Sequence, residues 1–207
     1  MSDAIGVRRV SAASYGEMAT AFADLCRRAE APNLHMAPAA IAAALPSRVK
    51  QAGDIVILCA EGSNAELLGI WAFRRIRNAH TGFATMLQAP LVPLYEVSST
   101  PVLDRSRAGP AALALLRFLA AAGDLPKLLR LPLLPVEGVV FAALEAACVE
   151  TGSTLHRFEN WERPMAIPAP GDDAQSYLRR ALGQSHKKRL QQHRLLERAG
   201  VLRLVRH

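Results

Sequence analysis

Few side chains in this sequence have the type and spacing to do chemistry. Glu159 and Glu162 stand on either side of Trp161. An indole beside a carboxylate strips its hydration and raises its pKa, which is one way to make a general base. The same two residues on a strand would also serve as a solvated edge. His35, His80 and His156 are scattered, without metal-ligand spacing, and read as ordinary surface or hydrogen-bonded histidines. Cys26, Cys59 and Cys148 lie far apart in apolar surroundings, with no C-x-x-C pair. They read as small buried hydrophobes in a reducing compartment, so the cytoplasm is expected and a metal site is not. Arg180, Lys187 and Arg194 recur at i, i+7 and i+14, which on one continuous helix makes a cationic face. Such a face suits phosphate, nucleic acid or anionic lipid, or else a solvated helix bridging two units. Tyr177 is the one aromatic nearby, so the stacking rings of a single-strand binder are missing and nucleic acid is not expected. There is no G-x-S-x-G elbow, P-loop or dinucleotide fingerprint.

Charge is concentrated at one end. Residues 174–207 hold nine Lys and Arg against Glu197 alone, a net +8, whereas the other 173 residues sum to −1. A near-neutral body argues against a protein built wholly for nucleic acid. With 51% apolar and 21% charged residues, the 207-residue chain has the balance of a globular protein and no membrane span. Its first residues, Met1-Ser2-Asp3-Ala4-Ile5-Gly6, carry no signal-peptide pattern.

The positioning elements follow from periodicity. Val7-Arg8-Arg9-Val10 reads as a first strand. Ser14 and Glu17 have capping-box spacing ahead of a helix bearing Met18, Phe22 and Leu25. Pro38 opens a second helix, which Pro46 is expected to kink or break. Residues 54–60 and 67–73 form a hairpin of buried strands, 74–81 is a polar connection, and a further strand begins near Gly82. Pro90 and Pro93 make 89–97 an edge or an irregular strand end. Then come a helix over 111–122, a strand over 128–134, a helix over 136–151 closed by Gly152, and a strand over 153–167. A Pro-Gly linker at 168–171 precedes one basic helix over 172–199, with Leu178, Leu182 and Leu190 on its inward face. Val201 begins another strand. The expected fold class is α/β (α+β): a mixed, mainly antiparallel central sheet with helices on both faces, plus a basic C-terminal helix.

This order resembles the GNAT acyltransferase fold. Four stretches are similar to the acetyltransferase-like proteins of cellulose and exopolysaccharide synthesis, the CelD/BcsL type, distant relations of FemABX. They are Ala31-Pro32-Asn33-Leu34-His35-Met36-Ala37-Pro38, Leu68-Gly69-Ile70-Trp71-Ala72-Phe73, Pro101-Val102-Leu103-Asp104, and the basic run from Leu178-Arg179-Arg180 to Arg198-Ala199-Gly200. The resemblance implies a GNAT-like domain over 1–171, then a linker helix over 172–207 that runs into the start of a second such unit. It implies transfer of an acyl group from acyl-CoA (acetyl-CoA) to an amine or hydroxyl. In such a fold the CoA pyrophosphate meets backbone N–H groups at a strand–loop–helix junction. Here that place is Asp104-Arg105-Ser106-Arg107-Ala108-Gly109-Pro110-Ala111, so Arg105, Arg107 and Gly109 are the expected cofactor-binding residues. No catalytic residue is assigned. The expected partners are a second GNAT-like unit, or another copy through the C-terminal strand edge. The alternative is a non-catalytic scaffold whose basic helix docks a partner or an anionic surface.

Overall fold

The computed structural model describes residues 4–48, 54–89, 98–158, 160–162 and 168–200. The chain divides into two units, Met1–Phe158 and Glu159–His207. The first runs β1 (Gly6–Val10), α1 (Ala12–Gly16), α2 (Ala19–Arg28), α3 (Pro38–Arg48), β2 (Ile55–Glu61), β3 (Leu67–Arg77), β4 (Ala84–Gln88), β5 (Val102–Leu103), α4 (Ala108–Ala121), β6 (Leu129–Arg130) and α5 (Val139–Thr151). Single 3-10 turns cover Leu34–Met36 and Arg105–Arg107. The second unit holds α6 (Ala174–Leu182) and α7 (Ser185–Ala199).

One mixed sheet organises the first unit, in the order β1-β2-β3-β4-β6, with β5 also on β3. All pairs are antiparallel except β4 with β6. The fold class is therefore the expected mixture of helices with a mostly antiparallel sheet. Ile55 to Ala60 are all buried, and so are Leu67 to Phe73. Central strands covered on both faces lose the apolar–polar alternation, which is why these runs read as continuous apolar stretches. Gly69 marks a close approach. A Cβ there would sit 3.1 Å from Leu103 Cδ2, 3.3 Å from Ala60 Cβ and 3.5 Å from Leu115 Cδ1, so its absence lets β5 and α4 close onto the sheet.

Several expectations are corrected. Ser14 and Glu17 form no capping box. Ser11 caps instead, its Oγ accepting from the Ser14 N–H at 3.0 Å, so the first helical turn starts earlier and Glu17 falls at its end. Helix α3 continues through Pro46 to Arg48. β3 extends through Arg74–Arg77, where the charged run pairs with β4. α4 begins at Ala108, with Pro110 inside its first turn, where no amide donor is needed. The strand expected over 128–134 shrinks to Leu129–Arg130. Residues 153–158 and 160–162 form no strand. Gly152 ends α5 as expected, in the left-handed conformation at φ 67°.

The basic segment is two helices, broken at Gly183 (φ 49°). Arg180 and Lys187 thus lie on different helices, and the three-residue cationic face is not continuous. No residue of α6 or α7 is buried, and Leu178 and Leu190 stay half exposed. The expectations for 90–97, Glu159, 163–167 and the strand from Val201 lie outside the described residues.

Candidate functional site

The junction between β5 and α4 is the place where separated parts of the sequence converge. Its approach, residues 98–100, is pinned from two sides. Trp71, fully buried on β3, donates Nε1–H to the Ser99 carbonyl at 3.0 Å. Asn33, ahead of the Leu34–Met36 turn, donates its side-chain amide to the Thr100 carbonyl at 2.8 Å and the Ser98 carbonyl at 3.2 Å. Its own Oδ1 accepts from the His35 N–H at 3.1 Å. A buried amide that uses both ends in this way fixes the backbone rather than filling space. β5 then pairs with Gly69 and Ile70.

Asp104 follows, and only 4% of its surface is exposed. One carboxylate oxygen accepts from the Ser106 N–H at 2.9 Å and the Ser106 hydroxyl at 2.6 Å. The other accepts from Arg28 Nε at 2.7 Å. Arg28, in the last turn of α2, also donates to the Leu67 carbonyl at 2.8 Å and pairs with Asp24 and Glu66. Burial pushes the Asp104 pKa up, but the Ser106 hydroxyl, the Arg28 guanidinium and the Ser106 amide together outweigh it. They hold Asp104 below the ordinary carboxylate range. The carboxylate thus ties the end of α2 to the start of α4.

The three expected anion-binding residues sit on this frame. Arg105 and Arg107 bound the 3-10 turn, and Gly109 is the second residue of α4. Arg105 pairs with Glu30 at 2.8 Å, both side chains largely in water. An exposed pair of this kind is worth about 0–1 kcal/mol, so a stronger anion can displace Glu30. Gly109 is exposed, and nothing lies within 4 Å of where its Cβ would be. No side chain caps α4, whose first turn supplies the positive end of the helix dipole. The Ser106 and Arg107 amides, by contrast, bond to Asp104. Pro110 has no amide hydrogen. The residues therefore fit an anion at the first turn of α4, beside Arg105 and Gly109, rather than along the whole loop.

The other chemistry-bearing residues are not brought here. Trp161 and Glu162 are exposed in the second unit. Cys59 is buried, and burial pushes its thiol up to about 12. Cys26 and Cys148 are also shifted up by burial, the opposite of an activated thiolate. His80 and His156 are exposed, and His35 is half-buried on the Leu34–Met36 turn. Among the described residues no group of three or more His, Cys, Asp or Glu is placed to hold a metal ion, and no helix is long and apolar enough to cross a membrane.

The chain matches no protein-family model, no curated protein and no solved structure.

Sequence reasoning missed Arg28. The signal was its place, since a cation in the last turn of a helix complements the dipole and is ready to meet an acid beyond it. That the acid is Asp104, far along the chain, is a property of the sheet.

Proposed function

We propose that the Met1–Phe158 unit is a GNAT-like acyltransferase unit of the cellulose and exopolysaccharide type, with helices on both faces of its sheet. It would move an acyl group from acyl-CoA to an amine or hydroxyl. The observation that carries this reading is convergence. Asn33, Trp71 and Asp104 come from three separate stretches that resemble that family, and all three fix residues 98–106 at one strand–loop–helix junction. Around it, an antiparallel meander passes through α4 into a strand parallel to β4, which supports the reading. Arg105, Arg107 and Gly109 would hold the pyrophosphate against the first turn of α4. Bound acyl-CoA brings an activated thioester. The chain's part is to hold and orient it. Three free thiols, Cys26, Cys59 and Cys148, support a reducing compartment, the cytoplasm.

Calorimetric titration with acetyl-CoA tests this. The expected result is saturable heat with a rise in melting temperature, weakened roughly tenfold or more in Arg105→Glu and Arg107→Glu. No heat and no melting shift at millimolar acetyl-CoA overturns it.

A specific observation favours a second reading, the non-catalytic scaffold. Asp104 already supplies an anion to the Ser106 amide, so the chain occupies part of the cradle with its own carboxylate. In that reading α7 docks a partner or anionic surface through Lys187, Lys188, Arg189, Arg194 and Arg198, none of which is ion-paired among the described residues. Binding to anionic vesicles that appears at low salt and fades as salt rises is its expected signature. The same chemistry would suit an acidic second GNAT-like unit.

A further inference from the structure

At the other end of α4 a cleft of about 330 Å³ opens between the β3–β4 turn and the loop after the helix. It is lined by Arg75, Arg77, Phe83, Asp124, Leu125 and Pro126, among others. The loop side is fixed. Lys127 Nζ donates to the carbonyls of Leu119, Ala120 and Ala122 at 3.1, 2.9 and 2.6 Å, closing the C-terminus of α4 and anchoring the chain beyond it. The strand side is set by register. A shift in the β3–β4 pairing falls between Ile76 and Arg77, and such an irregularity re-aims a side chain.

The two arginines differ in how well they are matched. Arg77 donates Nε and Nη2 to Asp54 at 3.0 and 2.7 Å, and Nη1 to the Gly82 carbonyl at 3.2 Å. Arg75 is more buried, with 15% of its side chain exposed, against 43% for Arg77. Yet among the described residues its side chain has a single polar contact, and a long one, Nη2 to Asp124 Oδ2 at 3.4 Å. That oxygen already accepts from Arg9 at 2.8 Å. Arg75 Nε is buried with no partner. A guanidinium carries five N–H donors, and taking it out of water without acceptors is unfavourable. Beside it Phe83 is 76% exposed, a large ring with no cover.

We propose that this cleft binds a small organic anion, whose carboxylate or phosphate oxygens pair with the part of the Arg75 guanidinium that lines it while a planar or apolar body lies on Phe83. The site is distinct from the α4 N-terminus and does not depend on the acyl-CoA reading. Charge-assisted bonds to a guanidinium give the affinity, and the ring gives the preference for an organic over an inorganic anion.

The test titrates the full chain with phenyl phosphate, benzoate and inorganic phosphate at constant ionic strength, read by calorimetry and thermal shift. Saturable binding is expected, with phenyl phosphate roughly 3- to 10-fold tighter than inorganic phosphate. Arg75→Met should weaken phenyl phosphate by about tenfold or more. It should not lower the melting temperature of the unliganded protein, because it removes an undermatched buried charge. Phe83→Ala, at an exposed position, should erase the advantage of phenyl phosphate and leave inorganic phosphate unchanged. Arg105→Ala should change neither. Absence of saturable binding overturns the proposal. So does phenyl phosphate affinity that Arg75→Met and Phe83→Ala leave intact, or that Arg105→Ala alone removes, since that places the anion at the α4 N-terminus.

Discussion

β2 and α7 show two ways for one chain to hold a segment in shape. In β2, Ile55 to Ala60 are all buried. In α7 no residue is buried, and Leu195 and Leu196 are more than half exposed. The strand is held by removing apolar surface from water. The helices of the second unit are held by local bonds. Asp173 and Ser176 form a reciprocal capping box, and Asp172 pairs with Arg180. Chemistry that needs fixed geometry therefore belongs on the sheet unit. The second unit suits contacts made by charge, which tolerate a flexible partner.

The comparison is broken most sharply by Trp71→Ala. Losing a fully buried indole and its bond to Ser99 should cost about 3–5 kcal/mol, seen as a lower denaturant midpoint for the sheet unit. Helicity from α6 and α7 should not change. If both units melt together earlier, the contrast between them fails.

Next is Asp104→Asn, expected to cost about 2–3 kcal/mol at neutral pH. That is less than for a fully buried pair, because Arg28 keeps 30% exposure. The pH dependence has a definite sign. Asp104 is depressed in the folded state, so its contribution is complete above the unfolded carboxylate pKa and is lost as pH falls through the folded value. Unfolding titrations should show a shallower acid loss in the variant. An equal slope would mean that Asp104 is not held as described.

Asp173→Ala sharpens the other side. Removing the cap should cost the α6 helix about 1 kcal/mol. Circular dichroism should show lost helicity with the sheet unit's melting midpoint unmoved. The smallest effect is expected for Arg8→Ala. Its pair with Glu61 at 2.7 Å is half in water, so stability should shift by about 0–1 kcal/mol in thermal melts.

Much of the sheet was legible in the sequence because buried strands leave a signal that depends only on neighbours. The runs 54–60 and 67–73 announced a hairpin, and Gly152 announced a helix end. Arg74–Arg77 did not read as strand, because at the end of a sheet strand-forming positions can carry charge if partners exist elsewhere, as Asp54 does for Arg77. Of the strand expected over 153–167, residues 153–158 and 160–162 form no strand, since β propensity without ladder bonds to a neighbour does not make one. In the basic segment the spacing of cations was visible, but one glycine decided whether they shared a helix. At the candidate site Asn33, Trp71 and Asp104 lay within stretches marked only by the family resemblance, and their bonds to residues 98–106 were not legible; nor was Arg28, because its role exists only once α2 and β5 lie side by side.

Hydrogen exchange of the full chain with and without acetyl-CoA tests the central claim most directly. The account predicts new protection over residues 105–111, with the peptides of α6 and α7 unchanged. Unaltered exchange across 105–111 at saturating acetyl-CoA, or protection confined to another part of the chain, would contradict it.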